Sequence, residues 1–145
     1  MFFIHRKLIY MGLALTIMSA CFLVSCSPKI DASETVKLRD LVYRKGDDKP
    51  FTGVVTGKSR HEGYRTQTCL FEKKYKDGKL NGRTLYTYLN GKTESIEPYE
   101  NGELNGVVTR YYESGQIKAR LHFVDGMRGG VKGEMFWDEK GERTK

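Results

Sequence analysis

Tyr75-Lys76-Asp77-Gly78-Lys79-Leu80-Asn81-Gly82 returns 24 residues later as Tyr99-Glu100-Asn101-Gly102-Glu103-Leu104-Asn105-Gly106. Five of the eight positions are identical, and a third copy begins at the same period with Phe123-Val124-Asp125-Gly126. Self-similarity at a fixed period of this length is typical of proteins in which each repeat is one supersecondary unit stacked on its neighbours. The period therefore predicts a stack of similar units.

Turn signals within the repeat indicate β-hairpins. The dipeptides Asp77-Gly78, Asn101-Gly102 and Asp125-Gly126 are typical of two-residue hairpin turns, because glycine, asparagine and aspartate tolerate a positive φ. The strand Arg83–Leu89 corresponds to Val107–Glu113, and Thr93–Tyr99 corresponds to Ile117–Phe123. We therefore predict an all-β fold, an elongated antiparallel meander of about four hairpin repeats over residues 40–145.

Alternate residues of a strand share one face of the sheet. This rule places three pairs of equivalent residues on one face and charged residues on the other: Thr93/Ile117, Ser95/Ala119 and Tyr99/Phe123. The conserved positions of the repeat are expected to have structural roles, with glycines at the turns, leucines closing them and aromatic rings packing. These residues are Tyr75, Gly78, Leu80, Gly82, Tyr88, Tyr99, Gly102, Leu104, Gly106, Tyr112, Phe123, Gly126 and Trp137. The aromatic members are predicted to form one packed stripe, and a ligand-binding aromatic row is the alternative.

The terminal units differ from the central ones. The first unit, residues 43–53, is longer than its later copies, and residues 56–66 follow it as a loop of weak pattern. In the last unit, two extra residues intervene before Gly141. Atypical end units are expected, because each has a neighbour on one side only.

The N-terminus has the features of a secretory signal. Basic residues at positions 5–7 precede an apolar run from Leu8 to Phe22, which is short for a membrane-spanning helix of about 20 residues. Leu23-Val24-Ser25-Cys26 resembles the bacterial lipobox. The resemblance implies cleavage between Ser25 and Cys26, lipid on Cys26 and a tether at a bacterial envelope membrane. Ser27 after the cysteine resembles an outer-membrane sorting signal, if the host has an outer membrane.

Two alternatives stay open for this segment. Met18-Ser19-Ala20-Cys21 is a poorer lipobox, and the segment could be retained as an uncleaved anchor. Either alternative places the rest of the chain outside the cytoplasm. Residues 1–25 are thus predicted to be the signal peptide, and residues 26–39 a lipidated cysteine followed by a flexible spacer.

Charge and cysteine content narrow the possible partners. Removal of residues 1–25 lowers the formal charge from +7 to +5, and basic and acidic residues alternate without a nucleic-acid-binding motif. Nucleic acid is therefore not an expected partner. Cys69 is the one cysteine left after Cys26, and its strand-like surroundings predict a small buried hydrophobe rather than a reactive thiol.

We find no catalytic or cofactor motif in the sequence. Gly53-Val54-Val55-Thr56-Gly57-Lys58-Ser59 has one residue too few between its glycines for a phosphate-binding loop, and Gly53 matches Gly82 and Gly106 instead. His61 and His122 are too isolated for a metal cluster. The predicted protein is not an enzyme and has no cofactor, metal or small-molecule substrate. The basic residues Lys73, Lys74, Lys76 and Lys79 indicate a solvated rim, with an anionic-lipid site as the alternative.

The pattern aromatic-x-(Asp/Asn)-Gly-x-Leu-Asn-Gly resembles bacterial MORN-type repeats, and is more closely similar to the variant in the YwqK-like antitoxin family. The resemblance covers roughly residues 41–145 and implies successive hairpins in a curved antiparallel sheet. We expect a membrane-anchored lipoprotein whose sheet is a non-catalytic scaffold for a protein partner, bound through the exposed face and the 56–66 loop. Neutralisation of a partner toxin is the alternative that the antitoxin resemblance implies.

Overall fold

The computed structural model describes residues 27–59, 67–129 and 133–144. The elements in chain order are β1 (Lys29–Asp31), a 3₁₀ turn (Ala32–Glu34), β2 (Thr35–Leu38), β3 (Leu41–Arg44), β4 (Gly53–Ser59), β5 (Cys69–Lys76), β6 (Lys79–Leu80), β7 (Gly82–Tyr88), β8 (Thr93–Glu100), β9 (Glu103–Leu104), β10 (Gly106–Tyr111), β11 (Ile117–Val124), β12 (Met127–Arg128) and β13 (Met135–Phe136). The described residues contain no α-helix, so the predicted all-β hairpin fold is confirmed. The predicted signal segment, with Ser25 and Cys26, lies outside the described residues.

The main sheet follows the order of the chain. Its strands run β1-β4-β5-β7-β8-β10-β11-β12, while β6, β9 and β13 pair with β5, β8 and β11. Neighbours from β4 onward are antiparallel, but β1 pairs parallel with β4, so the sheet is mixed at this edge. β2 and β3 form a separate two-stranded sheet.

Two predicted boundaries are corrected by this topology. The prediction of a flexible spacer up to residue 39 is wrong for β1 and β2, because Ile30 pairs with Val55 and is 6% exposed. The predicted loop from residue 56 is also wrong at its start, since Thr56 to Ser59 continue β4 in register with β5. β1 and the end of β4 obtain their backbone partners from residues farther along the chain, whereas β2 pairs with β3 across the turn at Arg39 and Asp40.

The repeated turns have the geometry that the sequence predicts. Asp77 and Gly78 have φ values of 50° and 78°, and the same positive signs recur at the next two copies. Two successive positive φ values define the type I′ turn, which matches the twist of the flanking strands. The third copy also keeps the bond that closes the hairpin: the Gly129 N–H donates to the His122 carbonyl at 2.8 Å, as the Asn105 N–H does to Pro98 at 3.0 Å.

A backbone hydrogen bond joins each repeat to the preceding one. The Gly102 N–H donates to the Leu80 carbonyl at 2.8 Å, and the Gly126 N–H donates to the Leu104 carbonyl at 2.9 Å. The Gly78 N–H makes the same bond to Phe51 at 2.9 Å. Phe51 therefore occupies the leucine position of the divergent first unit, and the turns stack in one continuous series.

Cross-strand pairs of glycine and an aromatic residue recur at the same period. Gly53 pairs with Tyr75, Gly82 with Tyr99, and Gly106 with Phe123. This register confirms that Gly53 is the counterpart of the two later glycines. A glycine opposite a ring leaves room for the ring on that face of the sheet.

The apolar core consists of two clusters on one face of the sheet. The first contains Ile30, Phe51, Val55, Cys69, Phe71 and Tyr86. The second contains Val108, Ala119 and Leu121. Cys69 is 1% exposed, so its predicted burial is confirmed.

The conserved aromatic residues do not form the single stripe that we predicted. Tyr75 and Tyr88 pack against the first cluster, and Phe123 packs against the second. Tyr99 instead donates its hydroxyl to Glu97. The nine buried hydrophobic residues among those the structure describes all lie outside the repeated octapeptide, and the aromatic ones are Phe51, Phe71 and Tyr86.

Truncation of a leucine in the second cluster tests this assignment of the core. Leu121 is 4% exposed, whereas Val124 on the same strand is 50% exposed. Leu121→Ala should lower the free energy of unfolding by about 2–5 kcal/mol, through lost burial and a residual cavity. Val124→Ala should change it by less than about 0.5 kcal/mol. Urea denaturation measures both, and equal losses would contradict the assignment.

Candidate interaction surface

The strand register defines two faces of the main sheet. One row of paired residues crosses the buried face: Gly57, Phe71, Tyr86, Ser95, Arg110, Ala119 and Phe136. The adjacent row crosses the opposite face: Thr56, Glu72, Leu85, Ile96, Thr109, Arg120 and Met135. The second row mixes polar, charged and apolar side chains, and we call its face the exposed face.

A groove of about 740 Å³ lies at the β4–β7 part of the exposed face. Its lining includes Thr56, Leu70, Leu85 and Thr87. Leu70 is 40% exposed, although its neighbours in sequence, Cys69 and Phe71, are buried. The groove therefore presents aliphatic side chains to solvent between polar ones.

An ion pair borders this groove. The Lys29 ammonium lies 2.6 Å from the Glu72 carboxylate, and both side chains are about half exposed. Exposed pairs of this kind contribute about 0–1 kcal/mol to stability, so this one mainly sets the shape and charge of the border. Lys29 comes from β1, and the edge strand that sequence analysis missed thus forms one side of the groove.

A second depression, of about 400 Å³, lies toward the C-terminal end of the same face. Val107, Thr109, Arg120, His122 and Met135 line it. Val107 is 48% exposed, and His122 points to solvent as predicted. His61 lies outside the described residues.

The buried face carries a polar site between the two apolar clusters. Glu97 is 4% exposed, and its carboxylate accepts hydrogen bonds from the Ser95 hydroxyl at 3.2 Å and the Tyr99 hydroxyl at 3.1 Å. Our expectation that charged residues lie on the opposite face is therefore wrong at Glu97. A buried carboxylate needs such partners, because water no longer solvates it.

The predicted basic rim is divided between the two faces. Lys73 is half-buried, and its ammonium lies 4.5 Å from the centre of the Phe71 ring on the buried face. Lys74, Lys76 and Lys79 are exposed. The strand alternation therefore removes Lys73 from the rim and leaves three exposed lysines.

Two tyrosine hydroxyls connect successive repeats. The Tyr88 hydroxyl donates to the Tyr111 carbonyl at 2.8 Å, and the Tyr112 hydroxyl donates to the Trp137 carbonyl at 2.8 Å. Partial burial, with a smaller contribution from nearby Glu94, raises the pKa of Tyr88 to about 12.

The last unit accommodates its two extra residues without losing its turn. The Gly141 N–H donates to the Asp138 carbonyl, as the Gly115 N–H does to the Tyr112 carbonyl.

A buried acidic side chain near the C-terminus is paired with an arginine. Glu134 is 9% exposed and binds the Arg128 guanidinium with both carboxylate oxygens, one of them 2.8 Å from Nη2. These hydrogen bonds raise the pKa of Arg128 above its ordinary value. The pair ties β12 to the segment that leads into β13.

The part of the chain that the structure describes contains neither a metal-binding cluster nor a membrane-spanning helix. Residues 27–59, 67–129 and 133–144 contain no group of three histidine, cysteine or acidic side chains that could hold a metal ion. Within the same ranges, no helix is long and apolar enough to cross a membrane.

Comparison with known proteins identifies one repeat. Residues 104–125 match a family described as a MORN repeat variant. The match runs from the second conserved leucine through β10 and β11 to the turn at Asp125. Searches of curated proteins and of solved structures give no match. The chain therefore contains a MORN-type repeat within an all-β fold. Such a repeat suggests a repeat protein that acts through protein or membrane interaction.

Sequence analysis missed two features of this surface. Alternation along Cys69-Leu70-Phe71 is the signal that could have placed Leu70 on the exposed face, opposite a buried cysteine. Glu97 could have been placed the same way, because it lies two residues from both Ser95 and Tyr99.

The raised pKa of Tyr88 predicts a loss of stability at high pH. The unfolded chain loses this proton near pH 10, while the folded chain keeps it until about pH 12. The unfolded state binds fewer protons in between, so the free energy of unfolding should fall as the pH rises from about 10 to 12.

Tyr88→Phe should make this decline shallower and should cost about 0.5–1.5 kcal/mol at neutral pH for the lost hydrogen bond. Tyr112→Phe is the matched control, since it loses the equivalent bond but keeps Tyr88. Denaturant titrations at several pH values measure both effects. An identical slope in the two variants would contradict the role of Tyr88.

Proposed function

We propose that the protein is a non-catalytic interaction scaffold, in which the exposed face of the repeat sheet binds a protein partner. The observation that supports this most directly is the groove beside Leu70, where aliphatic side chains lie exposed within a surface of mixed charge. Exposed apolar patches rimmed by polar residues commonly mark sites of interaction. The MORN-type repeat is consistent with such a role.

The register of the sheet gives the exposed face an ordered series of side chains that suits recognition of a partner surface. The exposed row crosses consecutive strands in continuous register, so its side chains are held in a fixed order. A protein partner, rather than a small-molecule substrate, is therefore the ligand that we propose.

We further propose that the scaffold is tethered in the bacterial cell envelope. The support for the tether is the lipobox resemblance of Leu23-Val24-Ser25-Cys26 after a short apolar run. Two or more acyl chains on Cys26 would hold the protein stably, since each buried methylene contributes about 0.8 kcal/mol. In a host with two membranes, the outer one is the proposed location.

The tether is tested by metabolic labelling. Cells that express the full chain are grown with radiolabelled palmitate, and the label is expected on the native protein but not on Cys26→Ala. Cys21→Ala is the matched control and should keep the label, because its lipobox is the poorer one. Label on Cys26→Ala, or none on the native chain, would contradict the assignment of Cys26.

The binding face is tested by capture of partners from solubilised envelopes. Leu70→Asp places a charge in the groove and should lower recovery of a specific partner by at least about tenfold, the effect of losing one binding hot spot. Leu38→Asp is the matched control, since Leu38 is 55% exposed but belongs to the separate β2–β3 sheet. A partner that binds both variants equally would rule out the groove.

Toxin neutralisation is a narrower form of the same proposal. It rests on the resemblance to the YwqK-like antitoxin family, and it would make the captured partner a toxin. Growth rescue on co-expression with that partner would support it. The scaffold proposal does not depend on this outcome.

A further inference from the structure

Four cross-strand pairs occupy the same position beside the stacked turns. The first unit contributes a bridge between Tyr43 and Pro50, and each later hairpin contributes the pair that flanks its type I′ turn. In order, the pairs are Tyr43–Pro50, Lys76–Lys79, Glu100–Glu103 and Val124–Met127. We call this series the turn row. Along the turn row, the first pair is apolar, the second basic, the third acidic and the fourth apolar.

The stacked turns place these pairs side by side. Gly102 lies against the side chain of Lys79, since a Cβ at Gly102 would be 3.9 Å from the Lys79 Cβ. Gly126 lies against Glu103 in the same way, at 3.7 Å. Successive pairs are two strands apart, which corresponds to about 10 Å. The row is therefore a continuous edge with one chemical group per repeat.

Each charged pair brings like charges together. Lys76 is directly opposite Lys79, and Glu100 is directly opposite Glu103. Like charges at opposed positions destabilise a hairpin. All four side chains are exposed, and within residues 27–59, 67–129 and 133–144 none of them has an ion-pair partner. The Asn105 side-chain amide donates a hydrogen bond to Glu100 at 3.3 Å, but no opposite charge within the described residues pairs with any of the four side chains. An external partner could therefore complement these charges.

The ends of the row are apolar. Met127 is 73% exposed and Val124 is 50% exposed, whereas the equivalent positions of the two central repeats are charged. Tyr43 at the other end is half-buried. Lys37 and Asp40 flank the row from the β2–β3 turn, but they pair with each other at 3.3 Å and leave its net charge unchanged.

The order of the row makes it complementary to itself. A twofold axis between the basic and acidic pairs would place the lysines of one copy against the glutamates of the other, and the reverse. The same axis would place Val124 and Met127 against Tyr43 and Pro50 of the second copy. Twofold interfaces use the same patch on both subunits, and that patch must be self-complementary.

We propose that the turn row is the interface of a homodimer with twofold symmetry, in which two copies of this chain pair their basic and acidic turns reciprocally. The row is short compared with a standard interface of about 800 Å² on each partner. The dimer should therefore be modest in affinity and sensitive to salt, because exposed charges supply much of its specificity. This surface is separate from the groove beside Leu70.

Charge reversal tests the proposal on the full chain in mild detergent, by sedimentation velocity at low and high salt. K76E/K79E and E100K/E103K should each weaken dimerisation by at least about tenfold. Each double variant would place like charges of the two copies against each other across the twofold axis. An equimolar mixture of the two variants should form heterodimers, since acidic turns then face basic turns at both contacts. The fourfold reversal should restore the homodimer.

K58E/K140E is the matched control. Both lysines are exposed and lie outside the row, and the double change alters net charge as K76E/K79E does. It should leave the dimer intact. Thermal unfolding of each variant shows whether it has folded.

Three outcomes would overturn the dimer: a native chain that stays monomeric at about 100 µM in low salt, folded single reversals that still dimerise, or a mixture that does not recover association. Partner capture by the groove should be the same for native protein and both reversals. Loss of the dimer with capture intact would therefore leave the proposed scaffold function standing.

Discussion

The hydrogen bond from a turn glycine to the carbonyl of the preceding repeat's leucine position determines how the units stack. Gly78, Gly102 and Gly126 make this bond to Phe51, Leu80 and Leu104 at 2.8–2.9 Å. Both atoms belong to the main chain, so the bond depends on turn geometry and hardly on the neighbouring side chains. The residues beside each turn are consequently free to differ, and they range from lysine to glutamate to methionine.

The same stacking produces two faces with different chemistry. The buried face holds two apolar clusters, and between them Ser95, Glu97 and Tyr99 form a hydrogen-bonded polar site on β8. The bonds to Glu97 form within β8 itself and satisfy its carboxylate, whereas the apolar clusters favour a single register, because a slip of one residue would turn them to solvent. The exposed face can then present Leu70 and Val107 in a fixed order.

The turns and the period could be predicted from sequence because they depend on neighbours in the chain. An Asp-Gly or Asn-Gly turn depends mainly on the positive φ of its own two residues. The spacing to Gly141 likewise indicated the two-residue insertion, which the structure accommodates. β1 could not be predicted, since its parallel pairing with β4 joins residues about 25 apart through contacts that leave no local pattern. Phe71 and Tyr86 were missed as core residues because they lie outside the repeated octapeptide.

The sequence by itself determined the hairpin class, the period of 24 residues and the positions of the turns. Only the tertiary structure decided which residues are buried, that Glu97 lies inward with them, and that lysine, glutamate and apolar pairs form one edge. The physical reason is the range of the interactions. A turn is specified by the φ preferences of two adjacent residues, whereas burial and the order of an edge depend on strands that meet only when the chain has folded.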